Sequence, residues 1–279
     1  MNNIIVNFTP TGMIPEKKLT PFVPISIDEI VSDVRQLYSL GITMVHLHAR
    51  DQITHKPTYD KAIFQAMIRE IRKFAPDLII CVSTSGRDFQ LFEQRAEVLE
   101  LEGSDQPDMA SLTLSSLNFN KQASVNSPEI IKKLAEKMQE KGIKPELEVF
   151  DLGMINYAHY LIKKGLLTPP FYFNIILGNI SCAQVDLMHL GIMLRDLPDN
   201  SIISIGGVGN AQYAANALAI ATGYGIRVGL EDNIWMDESR STLATNMDLV
   251  QRTISIASAF GRKVMTPSEL RKHLNLRDL

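Results

Sequence analysis

Val45-His46-Leu47-His48-Ala49-Arg50 is an apolar-led run that turns polar at its end, and that turn decides the architecture. Read as a strand it alternates, so Val45 and Leu47 face one side while His46 and His48 face the other. Working outward, similar short β-branched or apolar runs occur at 4–8, 44–48, 78–83, 109–113, 146–150, 172–176, 202–205 and 226–229. The stretches between them predict amphipathic helices starting near Ile27, Tyr59, Phe89, Pro128, Ile155, Cys182, Asn210 and Ser239. Strand then helix, eight times over, demands parallel pairing through crossover helices, in an open doubly wound sheet or a closed barrel. Nearly every run ends in polar residues, as it must when eight strand-to-helix loops share one pocket. The predicted fold is α/β, a (β/α)8 TIM barrel, in one domain over 1–279.

Boundary signals agree with that reading. Ser127-Pro128-Glu129 has the form of a cap, a first-turn proline and an acidic first turn. Gly142 and Gly165 stand where helices should stop, after basic final turns. Residues 10–24 are rich in Pro, Thr and Lys and far exceed the ~2–6 residues usual for such a connection. They predict a functional loop over the barrel mouth.

Composition excludes several classes of partner. Lys+Arg number 28 against 31 Asp+Glu, so no basic field argues for nucleic acid or an anionic membrane surface. Two cysteines, Cys81 and Cys182, are too few for a disulfide framework or a thiolate metal cage. The N-terminus lacks a basic segment ahead of a long apolar one, and no apolar run reaches spanning length, which predicts a cytoplasmic protein with no membrane partner. No Ser/His/Asp order, Walker loop or dinucleotide fingerprint occurs in a fitting context.

His46 and His48, on one strand face, are spaced to share one divalent ion. Two histidines hydrogen-bonded inside a polar barrel would give the same pattern, so a third ligand decides. Ile226-Arg227-Val228-Gly229-Leu230-Glu231-Asp232-Asn233 offers one. Barrel closure brings the eighth strand within one intervening strand of the second, where Glu231 completes a two-His, one-carboxylate set with an open position. An acidic pair there also caps a following helix. Arg227 beside it must be paired, and an Arg–Asp pair orients and tunes a general base in Asp232.

Other strand ends supply smaller groups. Ser83, Ser111 and Thr113 offer hydroxyls to a carboxylate or polarised carbonyl, although such residues also form turns and caps. Glu148 alternates with apolar neighbours, faces the interior and needs a partner, either a metal-bound His or an Arg. Gly206, Gly207 and Gly209 open the helix after the seventh strand, where barrels often hold phosphate on backbone amides and where a tight turn equally needs glycine. His55, His159, His189 and His273 stand alone and read as surface or core residues.

The blocks HLHAR at 46–50, STSG at 83–86, MASLTLSSLNF at 109–119, PELEVFDLGM at 145–154 and RVGLEDNIW at 227–235 together resemble the β-keto acid cleavage enzymes. That family is typified by 3-keto-5-aminohexanoate cleavage, and the similarity runs from about Asn7 to near the C-terminus. The resemblance implies a zinc-dependent (β/α)8 barrel that condenses a β-keto acid with acetyl-CoA, releasing acetoacetate and a new acyl-CoA. It implies Zn2+ on His46, His48 and Glu231, proton abstraction by an Arg227–Asp232 pair, substrate contacts from Ser83 and Ser111, and a homotetramer. Mn2+ and Co2+ accept the same ligand set.

Two departures bear on the substrate. Where well-known members carry Thr-Gly-x-Glu, whose acid holds an amino-bearing part of the substrate, this chain has Thr11-Gly12-Met13-Ile14. Ile14 therefore argues against 3-keto-5-aminohexanoate, and with Met13 it points to a less polar chain, although Glu16, Lys17 and Lys18 share the loop. The fourth strand reads Ser111-Leu112-Thr113 where Thr-Leu-Asn is common, which relines the pocket. Two other functions use the same residues: a metal-dependent aldolase or acyl-CoA lyase that needs no second acyl donor, and a non-catalytic metal- or metabolite-binding barrel.

Overall fold

The computed structural model describes residues 3–277. Its strands β1 (Val6–Phe8), β2 (Met44–Leu47), β3 (Ile79–Val82), β4 (Met109–Thr113), β5 (Lys144–Val149), β6 (Phe171–Leu177), β7 (Ser201–Gly207) and β8 (Gly225–Val228) close into the expected barrel. All eight neighbouring pairs are parallel. β1 pairs with both β2 and β8, Phe8 beside Val45 and Asn7 beside Arg227, so only β1 separates the second strand from the eighth.

Around the barrel run α1 (Ile27–Leu40), α2 (Lys61–Arg72), α3 (Phe92–Ala96), α4 (Pro128–Lys141), α5 (Leu152–Lys163), α6 (Leu187–Asp196), α7 (Ala211–Thr222) and α8 (Asn246–Ala259). α4 begins and ends as its sequence predicts: the Ser127 side chain accepts from the Ile130 N–H, and Gly142 caps the far end at φ 65°. Other starts differ for local reasons. α5 begins at Leu152, ahead of Ile155, because Asp151 caps it through the Met154 N–H. α6 begins at Leu187, after Cys182, because Asp186 accepts from the Met188 and His189 amides. α8 begins at Asn246 instead of Ser239, because Asp237 draws Ser239, Ser241 and Thr242 into a turn and Thr245 with Asp248 forms the cap.

Two further features were not foreseen. A small hairpin pairs Leu117–Asn118 with Ala123–Ser124 above β4. A ninth helix, α9 (Pro267–Leu274), starts from a Thr266/Glu269 capping box. Its Leu270 and Leu274, with Met265, plug the barrel bottom against inward-facing Met44, Ile79, Met109, Tyr172 and Ile202. The larger core lies between the outward strand residues, such as Val45, Leu47 and Ile80, and the helices.

Above the plug the inward positions become polar, with Asn7, His46, Ser111, Glu146, Asn174 and Ser204 all buried. Burying so many polar groups is costly unless they satisfy one another, which marks this layer as the functional one. No helix among the described residues is long and apolar enough to cross a membrane.

Candidate active site

Alternation along β2 turns His46 to the inside of the barrel, and His48, the first residue past the strand, keeps the same side, so that their Nε2 atoms lie 3.2 Å apart. From just past β8, Glu231 reaches back across β1 to place Oε1 3.1 Å from His48 Nε2. One donor atom from each of His46, His48 and Glu231 falls within 4.8 Å of the others. The first loop passes hard against this group. Gly12 sits at φ +65°, and a Cβ there would stand 2.4 Å from Glu231 Cγ, so glycine is required on both counts.

The carboxylate that orients His46 is Glu146, with Oε2 2.6 Å from Nδ1. Asn7 and Asn174 donate to its other oxygen at 2.7 and 3.1 Å, and the Cys81 thiol donates to Oε2 at 3.3 Å. Glu148, two residues on along the same face of β5, accepts from Thr113 Oγ1 at 2.7 Å and lies 3.5 Å from Arg227. Of its two anticipated partners, the arginine is the one present. Burial opposes a charge on His46, but Glu146 and Glu231 carry its pKa up to about 9. Burial pushes His48 down, against the pull of Glu231.

Arg227 is the hub of the remaining charges. Its Nε donates to Asp232 at 2.8 Å and its Nη2 to Glu231 at 2.7 Å. Gly206 makes this possible, since a Cβ there would come within 2.9 Å of the Arg227 Cβ. Burial raises Asp232 and Glu148 above the usual carboxylate range in spite of Arg227. Partial burial also opposes a charge on Glu231, yet His48 and Arg227 hold it well below that range.

This donor set fits a divalent cation. Four carboxylates, buried Glu146 and the partly buried Glu148, Glu231 and Asp232, face the single guanidinium of Arg227. Glu231 Oε2 is buried without a hydrogen-bond partner. A dication beside two imidazoles would supply both the missing charge and the missing partner.

A cleft of about 880 Å3 opens above the cluster, lined by Met13, Ile14, His48, Ser83, Thr113 and Glu148 among others. The loop at 10–24 forms part of its wall and is pinned by buried Arg50, which donates to the carbonyls of Gly12 and Pro15, each at 3.0 Å. The charges of that loop are occupied elsewhere: Glu16 pairs with Lys18 and Lys17 with Glu29, both at 2.6 Å. Ser111 is set apart from Ser83, because it is buried and its Oγ accepts from the Thr84 N–H at 3.1 Å. Gly206 and Gly207 end β7 instead of opening the next helix, and only Gly209 follows the strand; of the three it alone lines the cleft, and its N–H donates to the Asp232 carbonyl at 2.7 Å. Gly207 lets α7 approach, since a Cβ there would stand 2.6 Å from the Ala211 backbone. Arg87, unremarked in the sequence, also lines the cleft, its guanidinium 3.7 Å from the Phe119 ring centroid.

Known proteins share this architecture and sequence. The solved binary complex of ObcA with oxaloacetate superposes with a TM-score of 0.78 over 92% of this chain and 68% of that one, at 20% identity. At that identity the likeness shows the fold. The 3-keto-5-aminohexanoate cleavage enzyme of Fusobacterium nucleatum is 36% identical over 99% of both chains. The 3-oxoadipate:acetyl-CoA acetyltransferase of Cupriavidus necator is 33% identical over 98% of this chain and 94% of that one. The family model for beta-keto acid cleavage enzyme matches residues 3–276. With that span matched, this chain belongs to the beta-keto acid cleavage enzyme family.

Proposed function

We propose that the protein condenses a β-keto acid with acetyl-CoA through a metal held by His46, His48 and Glu231, with Asp232 as the base. The observation that carries this reading is the meeting of the three ligands on one rim with the Arg227–Asp232 pair beside them. Zinc suits two imidazoles and a carboxylate, and Mn2+ or Co2+ fits the same donors. When bound, the ion supplies a Lewis acid that polarises the keto carbonyl and makes the C2 proton more acidic.

The side chains do the rest. Asp232, its basicity raised by burial, takes the C2 proton, and Arg227 fixes the carboxylate while Glu148 steadies Arg227 from behind. The C2 carbanion attacks the acetyl-CoA thioester carbonyl and expels CoA thiolate. The thiolate adds to the original keto carbon, the C2–C3 bond breaks, and acetoacetate leaves with the proton returned by Asp232. Ser83, in the cleft wall, donates to the substrate carboxylate.

Ile14 occupies the wall where a carboxylate would be needed to hold an amino group, which supports a substrate other than 3-keto-5-aminohexanoate. A cytoplasmic homotetramer is the working state we propose; exposed Ile180, Leu187 and Met188, close together in the chain, offer apolar surface for self-association. A panel of β-keto acids with acetyl-CoA, scored for acetoacetate and the new CoA ester, tests the chemistry. Acetoacetate from at least one acid is expected, with loss of turnover in His46→Ala. Purified protein without stoichiometric metal, and indifferent to His46→Ala, would sink the proposal.

A further inference from the structure

The cleft wall has a charge pattern that the condensation chemistry leaves unused. Its three carboxylates, Glu148, Glu231 and Asp232, are all engaged with Arg227, and Glu231 with His48 as well. The other charged groups lining it are Arg87, Lys121 and Arg240, all cationic. Lys121 and Arg240 are exposed, while Arg87 is half-buried. Among the described residues the Arg87 guanidinium forms no ion pair and no hydrogen bond. Its Cζ lies over the Phe119 ring, 3.7 Å from the centroid, a contact that holds the head group in the cleft.

A half-buried guanidinium held against a ring, with its donors unpaired within the protein, is suited to meet a planar anion bidentately. Its position selects which anion. Arg87 follows Ser83 and Ser85 on the loop after β3, and both serines line the same cleft as His48. The same cleft is lined by Glu148, Glu231 and Asp232, so Arg87 and the reacting cluster face one cavity. An acid whose keto end meets that cluster can turn its far end to Arg87 inside the same cleft. The phosphates of CoA lie at the end of a long pantetheine arm and match the exposed Lys121 and Arg240 instead. Apolar Met13 and Ile14 in the same wall suit an aliphatic stem between the two ends of such an acid.

We infer that Arg87 determines specificity in this site, and that the β-keto acid it selects carries a second carboxylate at its far end. The inference rests on the keto-acid chemistry proposed above, so its test has one arm with turnover and one without. In the first, wild type, Arg87→Met and Arg87→Lys are assayed with acetyl-CoA and two acids of equal length, a 3-oxo dicarboxylate and its terminal amide. Wild type should favour the dicarboxylate at least tenfold in kcat/KM. Arg87→Met should cut that ratio at least tenfold, chiefly through KM for the dicarboxylate, and Arg87→Lys should fall between. An unchanged ratio in Arg87→Met, or a wild-type preference for the amide, overturns the inference. So does a rise confined to KM for acetyl-CoA, which would assign the guanidinium to a CoA phosphate. In the second arm a saturated dicarboxylate of the same length is titrated calorimetrically into wild type and Arg87→Met. If neither keto acid turns over, the proposed chemistry fails and this arm alone decides. Binding lost in the variant sustains the role of Arg87, and equal binding or none in wild type ends it.

Discussion

At the scale of single residues, the two glutamates of β5 separate positioning from proton transfer. Glu146 holds His46 Nδ1, and Glu148 holds Arg227. A carboxylate behind a metal-bound imidazole fixes its tautomer, and losing it typically costs about 10–100-fold in metal affinity. Glu146→Gln should therefore weaken metal binding by that factor in competition with a chromophoric chelator, while Glu148→Gln should change it far less. Equal effects would mean that Glu146 acts only as packing. Asp232→Asn should keep its metal yet slow turnover by about 10²–10⁴-fold, as expected for loss of a positioned base. The cleaner readout is deuterium exchange at C2 of the keto acid without acetyl-CoA, which wild type should catalyse and the variant should not. The histidine pair and Glu231 could be read from sequence because strand alternation assigns a face to each residue. The same alternation makes Glu146 inward whenever Glu148 is, but its partner His46 lies 100 residues away, and only the closed barrel brings the two together. Arg87 lies beyond β3, where no periodicity assigns a direction, and only folding shows what it faces.

At the scale of elements, α1 has a joint that should titrate. Glu29 accepts from the Ile25 and Ser26 amides and pairs with Lys17, tying the first loop to the helix start. Burial opposes its charge, but the Lys17 contact and the two amides pull its pKa down to about 2. A carboxylate depressed in the folded state adds stability that is complete above its unfolded value and lost as pH falls through the folded one. Glu29→Gln should thus cost about 0.5–1 kcal/mol at neutral pH, the range of a partly exposed cap. That gap should narrow between pH 4.5 and about 2 in urea melts, the interval set by the ordinary and folded values. A gap that is constant with pH would assign the loss to packing. Gly12→Ala acts on the other end of the same loop. Strain at φ +65° and the clash with Glu231 should lower kcat as well as thermal stability, whereas a merely structural turn would lower only the second. Elements with strong end signals, such as α4, were legible in sequence. The loop before α8 misled because Asp237 gathers its neighbours into a turn that resembles a helix start in composition.

At the scale of the whole molecule, the proposed metal lies across the seam at which the barrel closes. β1 has only three residues, the fewest of any barrel strand, and it alone joins β2 to β8. One ligand comes from β2, a second from the residue just past its end and the third from the chain just past β8, so a bound ion would clip the sheet across its shortest strand. Without it, four clustered carboxylates, one of them fully buried, would lean on Arg227 and a protonated His46. An ion that binds only the folded chain, at about 1,000 times its Kd, adds about 4 kcal/mol, and for a chain of this size that is on the order of 10 °C in Tm. Chelation should lower Tm by that amount, and zinc should restore it. The loss should also be local. In hydrogen exchange the amides bonded across the seam, Thr9 to the Val228 carbonyl and Ile226 to that of Ile5, should lose protection before those joining β6 to β7. Uniform loss around the barrel would show that the ion stabilises the chain without clipping its seam. An unchanged Tm in protein shown to have lost its metal would place the ion elsewhere, and His46, His48 and Glu231 would revert to a hydrogen-bonded polar layer.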